Sequence, residues 1–494
     1  MPGVTATPGT TPLYFLGVTV AEPTLIETAA ALRDGSLTSV ELVTSLLERI
    51  DAIDAELGAF TTVYRSTALA AAASADAALA AGTDLGPLHG IPFGIKDIIA
   101  AQEGPTSASS TVVKKDWWSG LDAPVVARLR AAGAVILGKT TTMEYALGEP
   151  DDTQGLVLPK CAWDLDRWAG GSSSGSGSGV AAGLMVAAIG TDTGGSVRLP
   201  AAFNGITGHK PTFGLVPKSG LHALGFTLDA VGPMAHTAAD CAVILDVIAG
   251  YDESDPTSTR TAVASFSAEL GTSLAGKRVG VDLASVRARA GSDHSSTKRY
   301  EEAIAVFEEA GAVIVPIELP SWQLSALSAM VTWQVDALNY HADTVRDHWN
   351  ELGRGIRDMF IEGTLLTPLD YLTAQRARAV LRDELAALFA DIDVIITPTV
   401  GVGALRFEER SGSLVDSTAY TSLFNVTGYP AISVPMGLTS DGVPLGLQIG
   451  ARPFDDALAI GIADAYQQLT DHHRAKPPLT ATLAHTTGDT NDQR

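Results

Sequence analysis

Cysteine is scarce in this sequence of 494 residues, which contains only Cys161 and Cys241. Two thiols cannot form the disulfide framework of a secreted domain, and they suit a reducing compartment. They are also too few for an iron–sulfur or zinc centre, and the pair His472–His473 lies in a polar segment without further ligands. The cysteine content therefore predicts a cytoplasmic protein with no metal and no other cofactor.

Basic residues are a minority as well. The chain has 33 lysines and arginines against 56 aspartates and glutamates, and its formal net charge is −23. Such a surface repels nucleic acid and anionic membranes. No apolar run approaches the roughly 20 residues that span a bilayer, and no signal peptide is indicated by the N-terminal sequence MPGVTATPGTTPLYFLG. We therefore expect neither nucleic acid nor a membrane as a partner.

Apolar residues are abundant at 46%, enough for a large core. Their spacing predicts strands that alternate with helices, which favours an α/β architecture around a largely buried sheet. No long polar linker divides the chain, so we expect one large domain. The predicted helices cover about 24–34, 38–57, 66–81, 122–132, 180–189, 299–310, 322–348, 368–390 and 454–470. The predicted strands lie within 89–100, 134–138, 278–281, 313–317, 394–397, 431–434 and 445–449.

The first of three segments that stand out is GIPFGIKD, residues 90–97. It predicts a buried strand, yet it carries Lys96, and a charged lysine is costly to bury. The amine then either reaches the surface, pairs with a neighbour such as Asp97, or loses its proton because burial lowers its pKa. The segment alone leaves these alternatives open.

The second and third segments are rich in glycine and serine. The sequence GGSSSGSGSG at 170–179 is typical of a flexible linker, but it leads straight into an apolar segment instead of joining two domains. Placed against a helix N-terminus, such a loop presents backbone N–H groups. In GTDTGGSVR at 190–198, the amides from Thr193 to Ser196 can converge on an oxyanion. Each pattern alone is weak evidence for catalysis.

Taken together, these segments resemble the amidase signature family of serine hydrolases. The resemblance extends from about residue 24 to about residue 470 and is densest between 89 and 236. It is carried by GIPFGIKD, GGSSSGS, GTDTGGSVRLPAAFNGITGHKPTFG and the later FNVTGYPAISVP and DGVPLGLQIG. The family implies a single α/β/α domain with a central mixed β-sheet flanked by helices.

The resemblance also implies roles for residues at matching positions. Lys96 is expected to act as the base, Ser172, preceded by a cis peptide bond, as the proton relay, and Ser196 as the nucleophile. A serine hydroxyl needs a base, and no histidine lies in the three segments, so a neutral lysine must serve. The implied oxyanion hole consists of Thr193, Gly194, Gly195 and Ser196, and the implied supporting shell of Ser173, Asp192 and Arg198.

The expected activity is hydrolysis of a small carboxylic amide, an aryl amide, an ester or a carbamate through an acyl-enzyme. Residues 21–475 should form the domain, with the catalytic core at about 89–236 and a more variable pocket region at about 250–400. Residues 1–20 are expected to form a loose arm and residues 476–494 a flexible tail. A homodimer is frequent among similar enzymes.

Some positions depart from the pattern of the family. Cys161-Ala162 and Ala169 stand where an Asn-Pro pair and a proline are common, and His236 stands where an arginine is common. These departures affect the shape of the loop before Ser172.

Four residues are expected to line the substrate pocket: Met143, Tyr145, Gln154 and Trp333. For the aromatic ones, packing in the core is the alternative.

Three other functions fit parts of the sequence. Residues 171–175 match the G-x-S-x-G nucleophile elbow, with Ser173 as nucleophile and a later histidine such as His209, His222 or His341 as base, although the preceding Cys161–Ala169 is a poor strand. A dinucleotide site lacks the G-x-G-x-x-G spacing. The family also contains the amidotransferase A-type subunit, which supplies ammonia to a partner acting on aminoacyl-tRNA.

Overall fold

The structure is a computed structural model. It describes residues 23–114, 116–148, 151–153, 155, 157–261, 265–289, 294–409 and 418–479. Most buried apolar side chains in these ranges form one contiguous core. The expected arm at 1–20 and the final part of the expected tail lie outside the described residues, so the proposed limits of the domain stay a prediction.

The helices of the described residues flank a large sheet, and none of them combines the length and the apolarity needed to cross a bilayer. The helices are α1 (Leu25–Asp34), α2 (Ser39–Leu57), α3 (Arg65–Ala80), α4 (Pro124–Ala131), α5 (Ser174–Ala181), α6 (Arg198–Asn204), α7 (Ala238–Ile248), α8 (Leu283–Ala288), α9 (Ser295–Glu309), α10 (Trp322–Tyr340), α11 (Ala342–His348), α12 (Arg354–Leu365), α13 (Pro368–Leu388), α14 (Ala419–Thr427) and α15 (Asp456–Leu469).

The strands form a mixed eleven-stranded sheet in the order β1-β3-β2-β6-β8-β7-β12-β13-β11-β9-β10 and a separate two-stranded ribbon, β4-β5. The strands are β1 (Phe60–Val63), β2 (Pro92–Lys96), β3 (Val135–Thr140), β4 (Lys160–Cys161), β5 (Asp164–Trp168), β6 (Ala187–Asp192), β7 (Thr207–Lys210), β8 (Ala230–Ala235), β9 (Arg278–Val281), β10 (Val313–Pro316), β11 (Val394–Pro398), β12 (Ala431–Leu438) and β13 (Pro444–Gly450). This arrangement confirms the predicted fold class.

The sheet places the catalytic candidates at one edge. Strands β2 and β6 are parallel neighbours, with Ile95 opposite Ile189, so their carboxyl ends emerge together. Lys96 ends β2, and Asp192 ends β6. The Gly/Ser loop enters α5, and the turn after β6 enters α6. Two loops and two strand ends therefore meet at this edge.

The prediction of a buried helix over 180–189 is wrong. The helix begins inside the Gly/Ser run at Ser174 and ends at Ala181, and the apolar residues after it turn into strand β6. Gly183 adopts the left-handed conformation, with φ of 65°, which glycine enters readily and which ends the helix. Because the whole segment is buried on all sides, its apolar pattern shows no period that separates a helix from a strand.

Other predicted elements agree more closely with the structure. The helices at 24–34, 38–57 and 66–81 are confirmed within two residues as α1 to α3, and the five later predicted strands are confirmed as β9 to β13. The predicted helix at 322–348 is divided into α10 and α11. The segment Cys161–Ala169, which is a poor strand by pattern, contributes β4 and β5, but this ribbon lies outside the main sheet.

Candidate active site

Lys96 is fully buried at the end of β2. Its Nζ lies 2.7 Å from Ser172 Oγ and 2.8 Å from Thr191 Oγ1. Burial lowers the pKa of Lys96 to about 7, although the charges of Asp192 and Asp229 raise it in part. The amine therefore neither reaches the surface nor has Asp97 as its hydrogen-bond partner, and it can exchange a proton near neutral pH.

The Gly/Ser loop is packed into the site and does not serve as a linker. The Gly171–Ser172 peptide bond is cis, and the N–H of Ser173 donates to the carbonyl of Ser196 at 3.2 Å. Ser173 Oγ donates to the Thr191 carbonyl at 3.1 Å and accepts from the Thr191 N–H at 3.2 Å. These bonds connect the loop to both β6 and the turn that carries Ser196.

The alternative with Ser173 as nucleophile finds no support in this geometry. Its hydroxyl is buried and occupied by the backbone of Thr191, so it is not presented to a substrate. The cavity described below is lined by Ser172 and Ser196. The cavity lining does not include the histidines considered as the base for that alternative, His209, His222 and His341.

The turn after β6 is held by the carboxylate of Asp192. Its Oδ1 accepts from the Gly195 N–H at 2.8 Å, and its Oδ2 accepts from the Val197 N–H at 3.2 Å. Gly195 has φ of 129°, a conformation that L side chains rarely adopt. At Gly194, a Cβ would lie 2.5 Å from Trp333 Cζ3. Gly195 is therefore favoured by the backbone of the turn, and Gly194 by its close approach to Trp333.

One of the four amides expected to form the oxyanion hole, that of Gly195, has an acceptor within the turn. The Gly195 N–H already donates to Asp192, so it is not free to bind an oxyanion. No acceptor among the described residues takes the N–H groups of Thr193, Gly194 or Ser196. These three residues line the cavity, and their amides stay the predicted donors of the oxyanion hole.

Arg198 and Asp192 form a fully buried ion pair. Arg198 Nη2 lies 2.8 Å from Asp192 Oδ1, and its Nε lies 2.9 Å from Oδ2. Burial alone would raise the pKa of Asp192, but the Arg198 guanidinium and its hydrogen bonds hold that pKa well below its ordinary value. Arg198 also donates to Gln448 Oε1 at 2.7 Å and to Asn425 Oδ1 at 2.6 Å. A buried pair with all its donors used stabilises one geometry of the turn.

A cavity of about 500 Å³, counted with the solvent at its mouth, opens over the two serines. Of the residues expected to wall it, Met143 and Trp333 do so, whereas Gln154 lies outside the described residues. Tyr145 is not in the wall, and its hydroxyl donates to the Val112 carbonyl at 2.6 Å. The described lining carries no charged side chain and consists of Met143, Ala146, Leu147, Gly148, Trp168, Gly171, Ser172, Thr193, Gly194, Gly195, Ser196, Leu199, Leu224, Trp333 and Thr418.

The departures that precede the Gly/Ser loop are accommodated around Asn204. Its Oδ1 accepts from the Ala162 N–H at 3.2 Å, and its Nδ2 donates to the Ala169 carbonyl at 2.7 Å. Cys161 Sγ lies 3.3 Å from the Phe203 carbonyl. The ribbon before the Gly/Ser loop is therefore fastened to α6 without the prolines that are common in the family.

Sequence reasoning missed several polar residues of the site. Thr191 contacts Lys96 and lies within the third segment, so that motif contained the signal. Asn425 and Gln448 lie in the later segments of the resemblance but carried no assigned role. Asp229, which contacts Thr193, precedes β8 with no local pattern to distinguish it. Within the described residues, no three side chains of His, Cys, Asp or Glu cluster in a way that holds a metal ion.

Comparisons with known proteins find similar chains over most of the sequence. A family model described as Amidase matches residues 41–460. The chain is 38% identical over 489 residues to the A-type subunit of glutamyl-tRNA(Gln) amidotransferase from Chromohalobacter salexigens, covering 94% of this chain and 100% of that one. It is 37% identical over 462 residues to the putative amidase AmiD of Mycobacterium bovis, covering 92% and 96%. The solved peptide amidase from Stenotrophomonas maltophilia is similar with a TM-score of 0.79 and 32% identity, covering 93% and 98%.

Proposed function

The chain belongs to the amidase family, and we propose that it hydrolyses a small carboxylic amide through an acyl-enzyme on Ser196. One observation carries this proposal: the fully buried amine of Lys96 lies 2.7 Å from the hydroxyl of Ser172, and Ser172 and Ser196 line the same cavity. AmiD and the peptide amidase among the similar proteins support the same class of reaction.

In the proposed mechanism, neutral Lys96 takes the proton of Ser172, and Ser172 takes the proton of Ser196 as Ser196 attacks the amide carbonyl. The oxyanion that forms is stabilised by the amides of Thr193, Gly194 and Ser196. The proton then returns along the same path to the leaving amine. Water enters, loses a proton to the same relay, and releases the carboxylic acid.

The walls of the cavity favour an uncharged substrate. Free glutamine carries an ammonium and a carboxylate beside its amide, and burying either charge without a partner is costly. The described lining offers apolar groups such as Leu147, Leu199 and Leu224 but no charged side chain. Although the amidotransferase chain of Chromohalobacter salexigens is similar over its full length, this lining supports a hydrolase of neutral amides over ammonia supply from glutamine.

A substrate panel tests this choice. With anilides, primary amides, esters, carbamates and free glutamine, we expect neutral substrates with an apolar acyl group to exceed glutamine in kcat/KM by about 100-fold or more, since a mismatched polar group left unpaired costs that much discrimination. The amine or ammonia released from each substrate is measured. Preference for glutamine, increased by a partner protein, would support the amidotransferase function instead.

The pH dependence follows from the state of Lys96. A protonated amine cannot accept the proton of Ser172, so kcat/KM is expected to rise from pH 6 to 8 with a midpoint near 7. Lys210 is a necessary control, because burial also lowers its pKa to about 7. Its Nζ donates to the Pro211 carbonyl at 2.7 Å and is not in the cavity lining. Lys210→Met should keep the acidic limb, which is the rise of kcat/KM between pH 6 and 8. Loss of that limb in this variant would contradict the assignment to Lys96.

A further inference from the structure

Asp229 connects the oxyanion turn to a wall of the cavity. Its carboxylate is buried immediately before β8. Oδ1 accepts from Thr193 Oγ1 at 2.6 Å and from the Gly225 N–H at 3.0 Å, and Oδ2 accepts from the Leu224 N–H at 3.1 Å. Both Thr193 and Leu224 line the cavity. One carboxylate therefore fixes the relative position of a turn and a wall that are far apart in sequence.

The same carboxylate places a charge near the buried amine. Asp192, the other acidic group near Lys96, is neutralised by Arg198 at 2.8 Å. Asp229 has no ion-pair partner within 4.0 Å among the described residues. Burial raises the pKa of Asp229, and the more distant Lys218 and the three donors lower it in part. An ionised Asp229 stabilises the protonated form of Lys96 and so opposes the neutral form that the proposed mechanism requires.

Several other charged or titratable groups surround the two residues and stay unchanged in the test below. Lys218 is half-buried, and its Nζ lies over the rings of Phe213 and Phe226 at 4.6 and 4.4 Å from their centroids. The charged or titratable groups that interact with Lys96 or Asp229 are Asp192, Lys218, Asp336 and Tyr340. Arg198 and Lys210 interact with Asp192 in turn.

We propose that Asp229 is a positioning residue for the amide cleavage, an inference that depends on the proposed function. Its carboxylate holds the Thr193 side chain, and with it the turn of oxyanion donors, and in its ionised form it opposes the loss of the Lys96 proton. Asp229 acts through Thr193 and Lys96 and does not itself line the cavity.

The experiment separates the hydrogen bond from the charge. Asp229→Asn removes the charge and weakens the hold on Thr193, so kcat is expected to fall about 10- to 100-fold with a smaller change in KM, as for a misplaced catalytic group. The acidic limb of the pH profile is expected to move to lower pH, because losing a nearby negative charge favours the neutral amine. Thr193→Val keeps the charge and removes the hydrogen bond, so kcat should fall while the acidic limb stays in place.

A matched control is Asp240→Asn. Asp240 is also a buried aspartate, and its carboxylate accepts from the Ile26 N–H at 3.1 Å and the Thr237 N–H at 3.2 Å at the start of α7. This variant is expected to lower the melting temperature while keeping kcat and the acidic limb of the folded enzyme. It therefore gives the change in melting temperature and kcat expected when a carboxylate with a purely structural role is lost.

The outcomes distinguish the inference from the proposed function. If Asp229→Asn behaves like Asp240→Asn, with lower stability but an unchanged limb and kcat, Asp229 is structural and the inference is overturned. If Asp229→Asn does not fold, unchanged kcat in Thr193→Val overturns it as well. Both results leave the proposed function intact as long as Ser196→Ala is inactive, whereas an active Ser196→Ala variant contradicts the proposed function itself.

Discussion

Ser196→Ala is expected to lower kcat by about 10⁴-fold or more, because removing the nucleophile leaves only binding and oxyanion stabilisation. Labelling by a serine-directed phosphonate should disappear in the same variant, since the hydroxyl that attacks the phosphorus is gone. Turnover of an anilide and the mass of the protein after phosphonate treatment measure the two effects. The loss should appear without a change in melting temperature, because Ser196 is partly exposed and its side chain makes no hydrogen bond within the described residues.

Ser178→Ala is the matched control for this substitution. Ser178 lies in α5, is fully buried, and its hydroxyl has no hydrogen-bond partner among the described residues. Its replacement should keep both turnover and labelling. If the Ser196→Ala protein still reacts with the phosphonate, the nucleophile is another serine, and Ser172 is the first to examine because it lines the same cavity.

The main parts of the site were predictable from the sequence because they lie in short segments at strand ends. Lys96, Ser172 and Ser196 are far apart in the chain, and each local pattern alone was weak, but the three segments together resemble one family, and that resemblance assigned their roles. The parallel pairing of β2 with β6 then brings the first and third segments to one edge. The strands from β9 onward were predictable for a related reason, since each is a short apolar run bounded by helices or, between β12 and β13, by a short turn.

The rest depends on tertiary contacts that leave no local pattern. Leu224 reaches the cavity from a loop and Trp168 from the end of β5, and Asp229 is one acidic residue among many. Tyr145 and Trp333 were equal candidates for the pocket by residue type, yet Trp333 packs against Gly194 and Tyr145 donates to Val112. The error over 180–189 has the same origin, because a segment buried on every side has no polar face to mark its period.

The second large effect is expected from Lys96→Met, which should lower kcat by about 10³-fold or more at every pH. Methionine fills much of the same buried space but has no nitrogen to accept the proton of Ser172. The residual activity should therefore lack the acidic limb near pH 7. Rapid-mixing measurement of the first turnover separates the loss in acylation from the loss in deacylation, because the proposed relay serves both steps.

The stability of this variant tests the charge of the buried amine independently of activity. In the unfolded chain Lys96 holds a proton up to its ordinary pKa of 10.5, whereas in the folded protein its pKa is about 7. Between these values the unfolded wild type binds more protons, so its unfolding free energy rises with pH, by up to about 1.4 kcal/mol per pH unit for one such group. Methionine binds no proton in either state, so this contribution is absent from the variant.

Urea unfolding of both proteins at pH 7, 8, 9 and 10 measures this difference. Relative to wild type, Lys96→Met should be most stable near pH 7 and should lose that advantage as pH approaches 10.5. Lys139 and Lys210 are also buried with lowered pKa values, but both proteins contain them, so their contributions cancel. A difference that stays constant with pH would mean that Lys96 is charged in the folded protein, and a charged amine cannot serve as the base for Ser172.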